Sequence, residues 1–166
     1  MDQRPVVTVA EMMAANARYA SGVALPEGPR PRRAAAIVTC MDVRIDPLPV
    51  LGFGMGEAHV IRNAGARVTD DVVRSLAISQ QALGTKTVIL MPHTRCGLMG
   101  LDDTSIRPRP GMGGAQRLAC LGFDDLDATL RADLAVLRES PWIAGDTTFS
   151  GFVFDVDSGL VREVGA

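Results

Sequence analysis

Three runs of strand length, at residues 34–40, 58–61 and 86–91, the first and the last of them apolar over 34–40 and 87–91, alternate with segments of helical period. Unbroken apolar runs, in place of strict alternation, mark strands covered on both faces, as in the parallel sheet of an α/β protein. Between the second and third runs, Thr69 is placed to cap a helix and Asp70 and Asp71 fall in its first turn, where the dipole favours them. Val72, Val73, Leu76, Ala77 and Leu83 give that helix a broad apolar face, and Gly84 ends it. Strand, helix, strand in this order predicts a right-handed parallel crossover.

Leu126, Leu130, Leu134 and Leu137 predict a second long helix over 124–139, stopped by Pro141. A short helix is expected near 47–51. A last core strand is expected over 151–156, with Asp157-Ser158-Gly159 turning the chain into an edge hairpin over 160–164. At the amino terminus, Thr8 and Glu11 have capping-box spacing, and Met12, Met13 and Tyr19 fall in a helix that Gly22 can end. Pro26, Gly28, Pro29 and Pro31 then make 25–33 an extended connector. The expected fold class is therefore α/β: a mostly parallel central sheet flanked by helices, in a single domain spanning 1–166. Residues 1–33 form an arm helix and connector and 34–166 the core. The arm's apolar side chains need a surface, from this chain or from a second copy. Residues 101–114, rich in Pro, Gly and charge, are expected to form a loop or lid.

Composition narrows the function classes. The chain has 166 residues, enough for one core. With 17 basic and 19 acidic residues, it carries no electrostatic footprint for nucleic acid or an anionic membrane. No run reaches the ~20 apolar residues of a membrane span, and residues 1–5 carry no basic segment leading into an apolar stretch. A cytoplasmic location is expected. Three Cys in no disulfide-like spacing suit thiols kept reduced and available to a metal.

The chemistry gathers at strand ends. The first run closes in Cys40-Met41-Asp42-Val43-Arg44, and the third leads into His93-Thr94-Arg95-Cys96-Gly97. Adjacent parallel strands would bring Cys40, His93 and Cys96 to one sheet edge. Two thiolates and an imidazole suit Zn2+, and three protein ligands leave the fourth tetrahedral position open, as in catalytic sites. Asp42 is placed to accept a hydrogen bond from hydroxide on the metal. Arg44 can grip Asp42 through a bidentate pair that keeps it ionised and off the metal. Without Arg44 the carboxylate itself could become a ligand. If Asp42 can swing onto the metal, activity is expected to fall at low pH. Cys120 has no such partners and is expected to pack in the core. His59, between Ala58 and Val60, is expected to be a hydrogen-bonded structural residue, and Arg62 and Asn63 to shape a loop. The glycines at 52, 54 and 56 do not match a dinucleotide fingerprint, whose third glycine would fall at Glu57. Nor does Cys40 have the Arg six positions on that a phosphatase loop requires, since Asp46 stands there.

The C-x-D-x-R pattern at 40–44, followed by Arg62-Asn63-Ala64-Gly65 and the H-x-x-C pattern at 93–96, resembles the beta-class carbonic anhydrases, in their compact bacterial form. The resemblance covers 37–97 closely and 151–165 more loosely. Arg95 departs from the acidic or small residue expected there. The resemblance implies Cys40, His93 and Cys96 as zinc ligands and Asp42 with Arg44 as the family's catalytic dyad. The implied reaction is reversible hydration of carbon dioxide to bicarbonate through zinc-bound hydroxide. It also implies a homodimer, or a larger assembly of dimers, with the active site at the dimer interface. Two alternatives remain beside it: a carbonyl sulfide or carbon disulfide hydrolase on the same scaffold, and a non-catalytic zinc- or bicarbonate-binding subunit.

Overall fold

A computed structural model describes residues 6–109 and 118–165. In chain order its elements are α1 (Val9–Gly22), β1 (Ala35–Cys40), α2 (Pro47–Val50), β2 (Ala58–Asn63), α3 (Asp70–Gln81), β3 (Thr87–Met91), α4 (Leu126–Glu139), β4 (Thr148–Phe154) and β5 (Val161–Glu163). One five-stranded sheet is ordered β2-β1-β3-β4-β5. The first three pairings in that order are parallel and β5 closes the edge antiparallel to β4. The α/β expectation with a mostly parallel sheet thus holds.

β1 lies inside the sheet and all six of its residues are buried, which is why its sequence is an apolar run without alternation. Ala36, Val38 and Cys40 join Val72 and Leu76 of α3 and Leu130, Leu134 and Leu137 of α4 in the main core. Helix α4 comes so close to β4 that a side chain at Gly151 would meet Leu134 Cδ1 at 2.9 Å. Helix α3 is capped as the sequence indicates, Thr69 accepting from Val72 N–H, and α4 carries a cap the sequence reading did not single out, Asp125 accepting from Ala128 N–H.

Some boundaries differ from expectation. β2 runs two residues further, because Arg62 and Asn63 stay in register with Thr39 and Cys40. β4 is shifted toward Thr148, since pairing with β3 recruits a segment whose polar residues hid it. Helix α3 ends at Gln81, so Leu83 lies half-buried in the turn that Gly84 completes at φ 81°. Residues 101–109 form turns and loop, and the remainder of the expected 101–114 loop lies outside the described residues, as do 1–5.

α1 has its capping box, Thr8 with Glu11, but buries no residue. Val9, Met12, Met13 and Tyr19 are all exposed. The connector behind it is tied to the β2 side of the core: Pro29 O accepts from His59 Nε2–H (2.9 Å), and Arg32 N–H and Arg33 N–H donate to Gly56 O and Glu57 O. Between α3 and α4 an open cavity of about 640 Å³ is lined by Val73, Ala77, Ile78, Val136 and Trp142. Among the described residues no helix is long and apolar enough to cross a membrane.

Candidate metal centre

β1 and β3 are neighbours, so their carboxyl ends deliver Cys40 and the segment after Met91 to the same edge. That segment stays in register with the end of β4. Phe154 N–H donates to Pro92 O, Thr94 N–H donates to Phe154 O, and Val156 N–H donates to Thr94 Oγ1. Arg95, at φ 52°, then turns the chain and brings Cys96 back beside His93. One ligand atom each from Cys40, His93 and Cys96 lies within 4.8 Å of the other two, and all three residues are buried.

His93 reveals what such a cluster is for. Its Nδ1 lies 2.8 Å from Thr94 O, and a carbonyl only accepts, so the ring proton sits on Nδ1. Nε2 therefore presents a lone pair, and it is a buried side-chain polar atom with no hydrogen-bond partner. A buried orphan of this kind costs stability unless something fills its coordination, and a metal between two sulfurs and this nitrogen does so. The donor set fits Zn2+.

Charge is arranged around that point. The hydrogen bond from Cys96 pulls the Cys40 thiol down to about 4 against the opposing effect of burial, while Cys96 itself is pushed up by the same shared proton. Gly65 N–H also points at Cys40 Sγ (3.3 Å). Gly65 sits at φ 75° with Leu98 Cδ2 at 2.7 Å from where a Cβ would stand, so the approach requires glycine. Burial opposes charging of His93, but the neighbouring Cys40 thiolate outweighs it and raises His93. Asp42 lies at the rim, its Oδ2 3.7 Å from His93 Nε2. Arg44 donates from Nε to Oδ1 (2.8 Å) and from Nη2 to Oδ2 (2.7 Å), and its backbone N–H adds a third bond to Oδ1. This grip holds the Asp42 carboxyl well below the usual carboxylate range. Arg62 fastens the backbone beneath, donating to Cys40 O and Asp42 O.

The structure brings together all five residues singled out from sequence. It leaves Cys120 apart, half-exposed on a loop, which corrects the expectation of a core position: its segment lies outside the packed elements. His59 is structural as expected, bonded to Ser79 Oγ and Pro29 O, and Asn63 closes its loop by bonding both N and O of Arg67. Sequence reasoning missed the Arg67–Asp133 ion pair (2.7 Å), which braces this loop against α4, because the partners lie 66 positions apart with no shared period. It also missed the part Thr94 plays in holding the ligand segment.

Against known proteins, residues 35–112 match the family model described as carbonic anhydrase. Beta-carbonic anhydrase 1 of Mycobacterium bovis is 42% identical over 164 residues, which cover 93% of this chain and 96% of that protein. A carbon disulfide hydrolase of Acidithiobacillus thiooxidans is 31% identical, covering 78% of this chain and 72% of its own length. The crystal structure of the carbonic anhydrase from Streptococcus mutans superposes with a TM-score of 0.82 at 37% identity, covering 98% of this chain and all of that one. With sequence, fold and the Cys-His-Cys cluster in agreement, this chain belongs to the beta-carbonic anhydrase family.

Proposed function

We propose that the protein catalyses the reversible hydration of carbon dioxide to bicarbonate and a proton, with Cys40, His93 and Cys96 holding Zn2+ and Asp42 with Arg44 as its catalytic pair. The observation that carries this reading is the orphaned, buried Nε2 of His93 with an ionised carboxylate beside it. Bound there, zinc supplies the Lewis acidity that makes water a nucleophile near neutral pH. The chain's own residues do the rest. Asp42, kept ionised by Arg44, accepts a hydrogen bond from the attacking water and aims its oxygen lone pair at the carbon of the substrate. Because Arg44 occupies both carboxylate oxygens, Asp42 is restrained from becoming a fourth ligand. Carbon dioxide plus water gives bicarbonate plus a proton, which leaves to solvent.

Carbonyl sulfide or carbon disulfide hydrolysis on the same scaffold is the second reading, favoured by the identity to a carbon disulfide hydrolase. Stopped-flow carbon dioxide hydration on protein of known zinc content, beside Cys40→Ser, separates the two. Turnover lost in the variant supports the anhydrase. Absent turnover with zinc bound, and sulfide release from carbonyl sulfide, transfers the assignment. Absence of both activities with zinc bound leaves a zinc- or bicarbonate-binding subunit.

We also propose a homodimer, or an assembly of dimers, in which arm residues 1–33 lie against a second copy of the 34–166 core. The unburied α1 and the open edge of β2 support it. A cytoplasmic location is supported by the unpaired Cys40, Cys96 and Cys120.

A further inference from the structure

We infer that Arg95 and Asp157 are positioning residues for Arg44, and through it for Asp42. The inference rests on the catalytic reading of the Asp42–Arg44 pair. The Arg44 guanidinium has a second anchor besides Asp42: its Nη2 also donates to Arg95 O, at 3.3 Å. That carbonyl belongs to the residue whose φ of 52° turns the chain between His93 and Cys96, in a region a side chain other than glycine seldom adopts. The Arg95 side chain reaches away from the site to Asp157, Nη2 to Oδ2 at 2.8 Å. Asp157 is itself fixed, since its N–H and that of Ser158 both donate to Asp155 Oδ1 (2.8 and 2.9 Å) in the turn after β4. A continuous line of contacts thus runs from that turn through Asp157, Arg95 and Arg44 to the carboxylate at the rim of the cluster.

The exposure of the pair bears on its role. Arg95 and Asp157 side chains are 69% and 55% exposed. An ion pair so open to water contributes little to folding. What it does instead is hold the Arg95 peptide where its carbonyl meets Arg44. Thr94, the residue before Arg95, is itself bonded to Phe154 O and Val156 N–H at the end of β4, so the pair completes a clamp with one backbone and one side-chain jaw. The negative charge of Asp157 also favours the Arg44 cation.

The test uses zinc-loaded, 15N-labelled full chain and reads the Arg44 Nε–H cross-peak, identified by its loss in Arg44→Lys. Asp157→Asn and Arg95→Gln should each shift or broaden that peak and lower turnover per bound zinc roughly two- to fivefold, the range an exposed ion pair can command. Arg95→Lys should recover part of both. In an Arg44→Lys background, Asp157→Asn should change turnover per bound zinc no further. An Arg44 peak and per-zinc turnover that stay at wild-type values, with only the melting temperature moving, overturn the proposal. A displaced Arg44 peak in protein that hydrolyses carbonyl sulfide but not carbon dioxide supports it while removing the anhydrase reading, so the two fail separately.

Discussion

The carboxyl end of the sheet and the amino-terminal helix are opposites in how they are held. Around Cys40, His93 and Cys96, ligands from the end of β1 and the segment after β3 are buried, and Gly65 N–H, the Arg62 guanidinium and Thr94 O are bonded to them. α1 satisfies its own first turn with Thr8 and Glu11, yet none of its residues is buried. Local signals alone therefore suffice to form a helix, whereas a site needs elements far apart in sequence to converge.

The comparison predicts unequal responses to substitution. Asp133→Ala strips Arg67 of its carboxylate and loosens the loop that aims Gly65 N–H at Cys40; removing one partner of such an inward-facing pair should cost about 3 kcal/mol in urea unfolding. Stability within a few tenths of a kcal/mol of wild type would show that the brace is dispensable. Acid should act more gradually. Asp42, Asp127 and Asp155 are held below the ordinary carboxylate range, by Arg44, by Arg162, and by the backbone N–H groups of Ser158 and Asp157, respectively. Their folded-state values are depressed, so their contribution is complete above about pH 4 and is lost as pH falls through the lower folded values. Urea midpoints should hold steady from these groups between roughly pH 5 and 7 and drop by pH 3, with a smaller drop in Asp127→Asn. At the other end of the scale, Met12→Ser with Met13→Ser should change unfolding free energy at high dilution by less than about 0.5 kcal/mol. Sedimentation at higher concentration should nonetheless move toward monomer, and a loss of monomer stability instead would mean the arm packs on its own core.

Much of this was legible because the residues that matter sit where patterns end. β1 is a pure apolar run terminated by Cys40, and Asp42 and Arg44 stand two positions apart in the turn just beyond it, close enough for their bidentate contact. The helices announce themselves through Thr69 and through the leucines of α4. What stayed hidden depends on register and on distant partners. Thr148–Ser150 reads as loop until β3 pairs with it, and nothing near Arg67 points to Asp133. Nor does the sequence around Cys120 reveal that its neighbours leave it half-exposed.

Seen as polymer physics, the cluster is a clasp. Cys40 and Cys96 are separated by 96 − 40 = 56 positions, and the chain between them contains β2, α3 and β3. An ion gripping both ends would make that stretch a closed ring and deny the unfolded chain most of its end-to-end freedom. A covalent crosslink of that span is worth about 4 kcal/mol in the chain-entropy picture, an upper bound for a bond that can dissociate. The same three side chains that set up the chemistry would thereby shorten the search by which the first crossover of the sheet finds its register.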